Sequence, residues 1–157
     1  PYSQAKFYAD QLVRQFVKDF PNSDAEIVSV YPVFVMGPAL SNRDDSTSMG
    51  LQYLFKYRIA PNPFIQMLFD DNVEFATVDV RDVAEGIFKT ATTEGLHGKQ
   101  YYLSNESWKV SDITRMLNNE PVTEKPRFVY SGKNAERDLG MKFRTASESF
   151  ENFAADC

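Results

Sequence analysis

The sequence predicts an α/β protein, and three observations carry that prediction. Strand-like and helix-like segments alternate along its 157 residues. The run from Glu26 to Met36 is nearly all apolar and β-rich, as in a parallel-sheet strand covered on both faces. Residues Tyr2 to Phe20 place Ala5, Tyr8, Ala9, Leu12, Val13, Phe16, Val17 and Phe20 at i, i+3 and i+4, the ladder of an amphipathic helix. A hydrophobic content of 43% and an aromatic content of 14% are those of a folded chain with a sizeable core.

Taken in order, the first helix ends at Pro21-Asn22-Ser23, with Gln4, Gln11, Arg14, Gln15 and Lys18 on its polar side. Phe7 also points to that side, which suggests a partner helix. The apolar run reads as Glu26 to Tyr31, continues past Pro32 as Val33 to Met36, and stops at Gly37-Pro38. Ala39 to Thr47 reads as a polar loop, and Ser48 as the N-cap of a helix through Leu51, Leu54 and Phe55. Pro61-Asn62-Pro63 breaks that helix, and Phe64 to Phe69 fits either helix or strand. Glu74 to Val78 reads as a strand. Asp79 then caps a helix from Val80 to Thr90, with Asp82 adding charge to its first turn. Strands follow at Lys99 to Leu103 and Arg127 to Tyr130, with a helix from Ser111-Asp112 to Asn118 between them. Helices at Lys133 to Leu139, stopped by Gly140, and at Ser147 to Ala155 complete the pattern.

Within the first helix, Tyr2 and Lys6 are four residues apart, about 40° from one another around the axis. An ammonium held beside a phenol favours the phenolate, the chemistry needed to pass a proton to or from a carbonyl. Both residues fall on or beside the apolar arc of the helix, an unusual place for a lysine.

The net charge of −5, without runs of basic residues, offers nothing for nucleic acid to bind. No apolar run approaches a membrane span. One histidine and one cysteine, Cys157, argue against zinc and against a disulfide framework, so a cytoplasmic location is expected. Because the chain opens on Pro1 and enters a helix almost at once, we expect it to be a fragment or a processed product whose N-terminal portion lies elsewhere.

Five landmarks occur in order: Tyr2-Ser-Gln-Ala-Lys6; Tyr31-Pro-Val-Phe-Val-Met-Gly37-Pro38; Phe75-Ala-Thr-Val-Asp79-Val-Arg-Asp82-Val-Ala84; Gly98-Lys-Gln-Tyr-Tyr-Leu103; and Tyr130-Ser through Ala135-Glu-Arg-Asp-Leu-Gly140. In this combination the chain resembles the C-terminal half of the extended short-chain dehydrogenases/reductases. The NAD-dependent epimerase/dehydratase branch, and its dihydroflavonol-reductase-like group, is the nearest in pattern. The resemblance implies a partial Rossmann-like fold, the C-terminal part of the parallel sheet plus a small α/β substrate domain. It divides the chain into residues 1–38, a remnant of the dinucleotide-binding domain, and 39–157, mainly substrate-binding with returning Rossmann elements. It implies Tyr2 as proton donor/acceptor and Lys6 as the group that lowers its pKa and bonds the nicotinamide ribose. Pro32, Val33 and Val35 would lie against the nicotinamide, and Ser48 near the cofactor phosphates. The cofactor would be NADP or NAD, the substrate a small carbonyl or alcohol, and a homodimer is compatible. Asp79 and Asp82 match an acidic pair of the family and are read as structural.

The chain departs from the family pattern in one respect. Its seven glycines never form the G-x-x-G-x-x-G loop that grips a pyrophosphate between a strand and a helix. The catalytic serine or threonine would also lie upstream. The chain alone is therefore expected to be inactive. A second reading stays open: a non-catalytic protein on the same scaffold that binds a nucleotide or a partner.

Overall fold

The computed structural model describes residues 1–38 and 46–155; the polar loop expected from Ala39 lies largely outside them. Helix α1 (Tyr2–Asp19) forms over the predicted ladder. The apolar arc was expected to face the core, yet no residue of α1 is buried. Its contact stripe is half-buried Asp10, Val13 and Val17, while Tyr8, Leu12 and Phe16, about a third of a turn away, are exposed. A polar bond sets this rotation: the Tyr31 hydroxyl donates to Asp10. Two turns further along, Val17 packs so closely on Gly98 that a Cβ there would lie 2.8 Å from Val17 Cγ1. Phe7 is exposed, on the side where it was expected.

The long apolar run is not one strand. It divides into β1 (Ser29–Pro32) and β2 (Phe34–Met36), with Val33 between them. β1 pairs in parallel with β4 (Gln100–Leu103), and β2 in parallel with β3 (Glu74–Asp79). The first two strands are only partly buried, so the expected cover on both faces is incomplete among the described residues. β3 also pairs antiparallel with β5 (Ser107–Lys109), a three-residue strand that periodicity does not reveal. The strand expected from Arg127 to Tyr130 is absent: only Arg127 bridges, to Ser107, and Phe128, Val129 and Tyr130 are exposed.

Helix α2 (Thr47–Tyr57) is capped by Ser46, whose side chain accepts from the Met49 amide at 3.1 Å; Ser48 is inside the helix. Ser46 wins because a cap needs extended backbone, and its φ and ψ are −82° and 139°. We predict that Ser46→Ala lowers stability by about 1 kcal/mol in urea unfolding; an unchanged midpoint would remove it as the cap. The ambiguous stretch is helix α3 (Pro63–Asp70), with Asn62 as cap and Pro63 in the first turn, where a missing N–H costs nothing. Asp79 caps α4 (Val80–Thr92), as expected. Helices α5 (Val110–Leu117), α6 (Lys133–Leu139) and α7 (Ala146–Ala155) follow, with Gly140 ending α6 in the left-handed region at φ 61°.

Two cores result. One gathers Met36, Phe55, Ile113, Leu117, Phe150 and Phe153 between α2, α5, α7 and the three-stranded sheet. The other gathers Val78, Tyr101, Leu103, Ala135, Leu139 and Met141, with Val30, Val33 and Val35 packed against it. Among the described residues, no helix is long and apolar enough to cross a membrane.

Candidate active site

The contacts of α1 give its direction. Asp10 meets Tyr31 near the end of β1, and Val17 meets Gly98 beside the start of β1, where the Ser29 amide donates to Lys99 O at 3.1 Å. The helix therefore runs antiparallel to β1, and its first turn reaches the carboxyl end of that strand. Open α/β sheets bind ligands at this end. Tyr2 and Lys6 occupy this turn, with Lys6 one turn before Asp10 on the same face. The Lys6 Nζ is 5.6 Å from the centre of the Tyr2 ring. Tyr2 is 75% exposed, and neither its hydroxyl nor the Lys6 ammonium has a hydrogen-bond or ion-pair partner among the described residues. Both are free to bond something outside the chain.

At the end of β1 the chain passes from one sheet to the other. Val33 donates its amide to Leu103 O at 3.2 Å, a bond beyond the last paired residues of β1 and β4. Pro32 is exposed, and Val33 and Val35 are half-buried on the second core. Ser48 reaches this segment from α2, its hydroxyl donating to Val35 O. That bond commits the only proton of Ser48, so its oxygen is left mainly as an acceptor. The six residues expected to form the site thus fall into two groups, Tyr2 with Lys6 and Pro32, Val33 and Val35 with Ser48.

Behind β2 lies a network that sequence reading found only in part. Gly37, at φ 111°, takes a backbone shape that side chains disfavour and gives its amide to Gln52 Oε1 at 3.1 Å. Gln52 is 1% exposed. A Cβ on Gly37 would lie 3.4 Å from Asp79 Oδ2. Asp79, fully buried, accepts from the Arg81 amide, from Arg81 Nε and Nη2, and from Ser149 Oγ at 2.7 to 2.8 Å. Burial pushes its carboxyl up, but the hydrogen bonds from Arg81 and Ser149 outweigh burial and hold it below 3.8. At Asp82, which accepts the Arg144 amide at 2.7 Å and pairs with the Arg144 guanidinium, burial wins and the carboxyl is pushed up. Both acids are structural, as expected. Their partners Arg144 and Ser149 lie 62 and 70 residues away in sequence, and no local signal announces them.

A shallow cleft of about 650 Å³ on the solvent side of α1 is lined by Tyr8, Leu12 and Lys18 and includes neither Tyr2 nor Lys6. Among the described residues no cluster of acids, histidines or cysteines could hold a metal.

No family model matches this sequence, and no curated protein matches it. Solved structures do. Over 98% of its length the chain superposes on 49% of the yeast methylglyoxal/isovaleraldehyde reductase Gre2, crystallised with NADPH, with a TM-score of 0.75 and 21% identity. These solved structures are extended short-chain dehydrogenase/reductase-type enzymes, and the chain shares the fold of about half of each. The same match recurs with WbmF of Bordetella bronchiseptica in complex with NAD+, covering 99% of this chain and 51% of that one at a TM-score of 0.68 and 18% identity. It recurs with the UDP-glucuronic acid 4-epimerase of Bacillus cereus, with 99% and 51% covered, a TM-score of 0.67 and 18% identity. The chain spans about half the length of these structures. The parallel pairs β1–β4 and β2–β3 are Rossmann-like sheet elements, and the α/β class predicted from sequence holds.

Proposed function

We propose that this chain supplies the C-terminal portion of an NAD(P)-dependent oxidoreductase acting on a small carbonyl or alcohol. Tyr2 is the proton donor/acceptor, and Lys6 assists it and bonds the nicotinamide ribose. One observation carries the reading: a phenol and an ammonium with no hydrogen-bond or ion-pair partner among the described residues lie side by side, in a helical turn that reaches the carboxyl end of a parallel strand. That the similar structures hold NADPH or NAD+ supports the cofactor assignment. The bound nicotinamide would supply or accept the hydride. Pro32, Val33 and Val35 form an apolar rest for its ring, and Ser48 lies near the cofactor phosphates. Residues 1–38 belong to the dinucleotide-binding domain in this reading, and 39–157 mainly to the substrate domain with returning Rossmann elements.

In this reading the pyrophosphate is gripped by a glycine-rich loop that none of the seven glycines here can build. Calorimetry of the 157-residue chain with NADPH and with NADH is expected to show no micromolar binding, and the chain alone no turnover. Micromolar affinity for either nucleotide would mean that the phosphate grip lies in these residues, and the proposal would fall.

A further inference from the structure

A second site lies on the far side of the first core, where the ends of α2 and α3 meet the start of α5. A cleft of about 420 Å³ there is lined by two arginines, Arg58 and Arg115, and by no carboxylate, in a chain of net charge −5. Arg58 closes α2 in the left-handed region, at φ 54° and ψ 42°. Its guanidinium has no ion-pair or hydrogen-bond partner among the described residues. Arg115 spends one donor on Pro121 O at 2.6 Å and approaches Glu120 at 3.6 Å, leaving further N–H groups uncommitted.

The hydroxyls at the cleft divide in the same way. Thr123 gives its proton to Asp112 Oδ1 at 2.9 Å and is satisfied. Thr114, which also lines the cleft and is 3% exposed, buries a hydroxyl with no hydrogen-bond partner among the described residues. Ser111, in the first turn of α5, has a hydroxyl with no partner among the described residues, its amide being held by Asn72 Oδ1 at 2.9 Å. Half-buried Phe69 and buried Val110 form an apolar wall beside these donors.

We infer that this cleft binds a phosphate monoester, its phosphate between Arg58 and Arg115 and its organic part on Phe69 and Val110. Two guanidinium forks and two hydroxyls present more donors than the two oxygens of a carboxylate would use, and they suit a phosphate. The inference is independent of the oxidoreductase reading, since it uses none of that site's residues.

The test is an NMR titration of the isotope-labelled chain with inorganic phosphate and with phenyl phosphate at constant ionic strength. Saturable shifts are expected at the amides around Arg58, Ser111 and Thr114, with phenyl phosphate the tighter of the two. Arg58→Gly should weaken binding by about tenfold or more. It should leave the melting temperature unchanged or raised, because glycine suits the left-handed backbone at this position. Absence of saturable shifts, equal affinity of the two probes, or undiminished binding in Arg58→Gly overturns the assignment.

Discussion

Asp79→Ala is expected to lower the stability of the fold by about 3 kcal/mol, the low end of what breaking a buried ion pair costs. The carboxylate is fully buried and takes four donors, three from Arg81 and one from Ser149. Removing it leaves the Arg81 amide without its acceptor beneath the start of α4 and the Ser149 hydroxyl with only Thr145 O, at 3.2 Å. The arginine suffers less, because its side chain is 35% exposed and water can reach it. The sign with pH follows from the direction of the shift. A carboxyl held below 3.8 in the folded state contributes stability that is complete above that pH and is lost as pH falls through the folded value. Asp82 acts in the opposite sense, because its carboxyl is raised: its charging opposes the fold as pH climbs from 3.8 to the folded value. Urea titrations at several pH values should therefore find Asp79→Ala weaker at neutrality and its acid limb flatter below 3.8. A loss under about 1 kcal/mol would mean that the buried network is not a structural tie.

Tyr2→Phe carries the largest functional effect. In a protein that joins this chain to a glycine-rich half, it should reduce kcat by roughly two to four orders of magnitude, the contribution of a positioned acid or base. Stability should stay within about 0.5 kcal/mol, because Tyr2 is exposed and its hydroxyl bonds none of the described residues. Turnover and thermal unfolding measured on the same preparation separate the two effects. Near-normal turnover would remove Tyr2 from proton transfer, whereas a large drop in melting temperature would make the lost rate a folding effect.

Much of this architecture is legible before any coordinates. α1, α4 and α6 announce themselves by apolar spacing and by Asp79 and Gly140 at their ends, because those signals are local. What escapes is non-local. Nothing in Glu26 to Met36 reveals that the run changes sheets at Val33, since both parts are equally apolar. The run from Arg127 to Tyr130 reads as a strand, yet only Arg127 bonds the neighbouring backbone. The rotation of α1 depends on Tyr31 meeting Asp10, 21 residues away, which overrides the face its apolar ladder would choose. At the candidate site the spacing of Tyr2 and Lys6 is visible at once. The commitment of the Ser48 proton to Val35 is not, because it depends on where α2 settles against β2.

The hand-over at Val33 has a mechanical consequence. Pro32 is matched to Leu103 and Phe34 to Thr77, so a single intervening residue joins two ladders. A slip of one position in either ladder would pull the other out of step and turn its side chains to the opposite face. The two hydrophobic clusters are thus geared together, and neither can find its alignment alone.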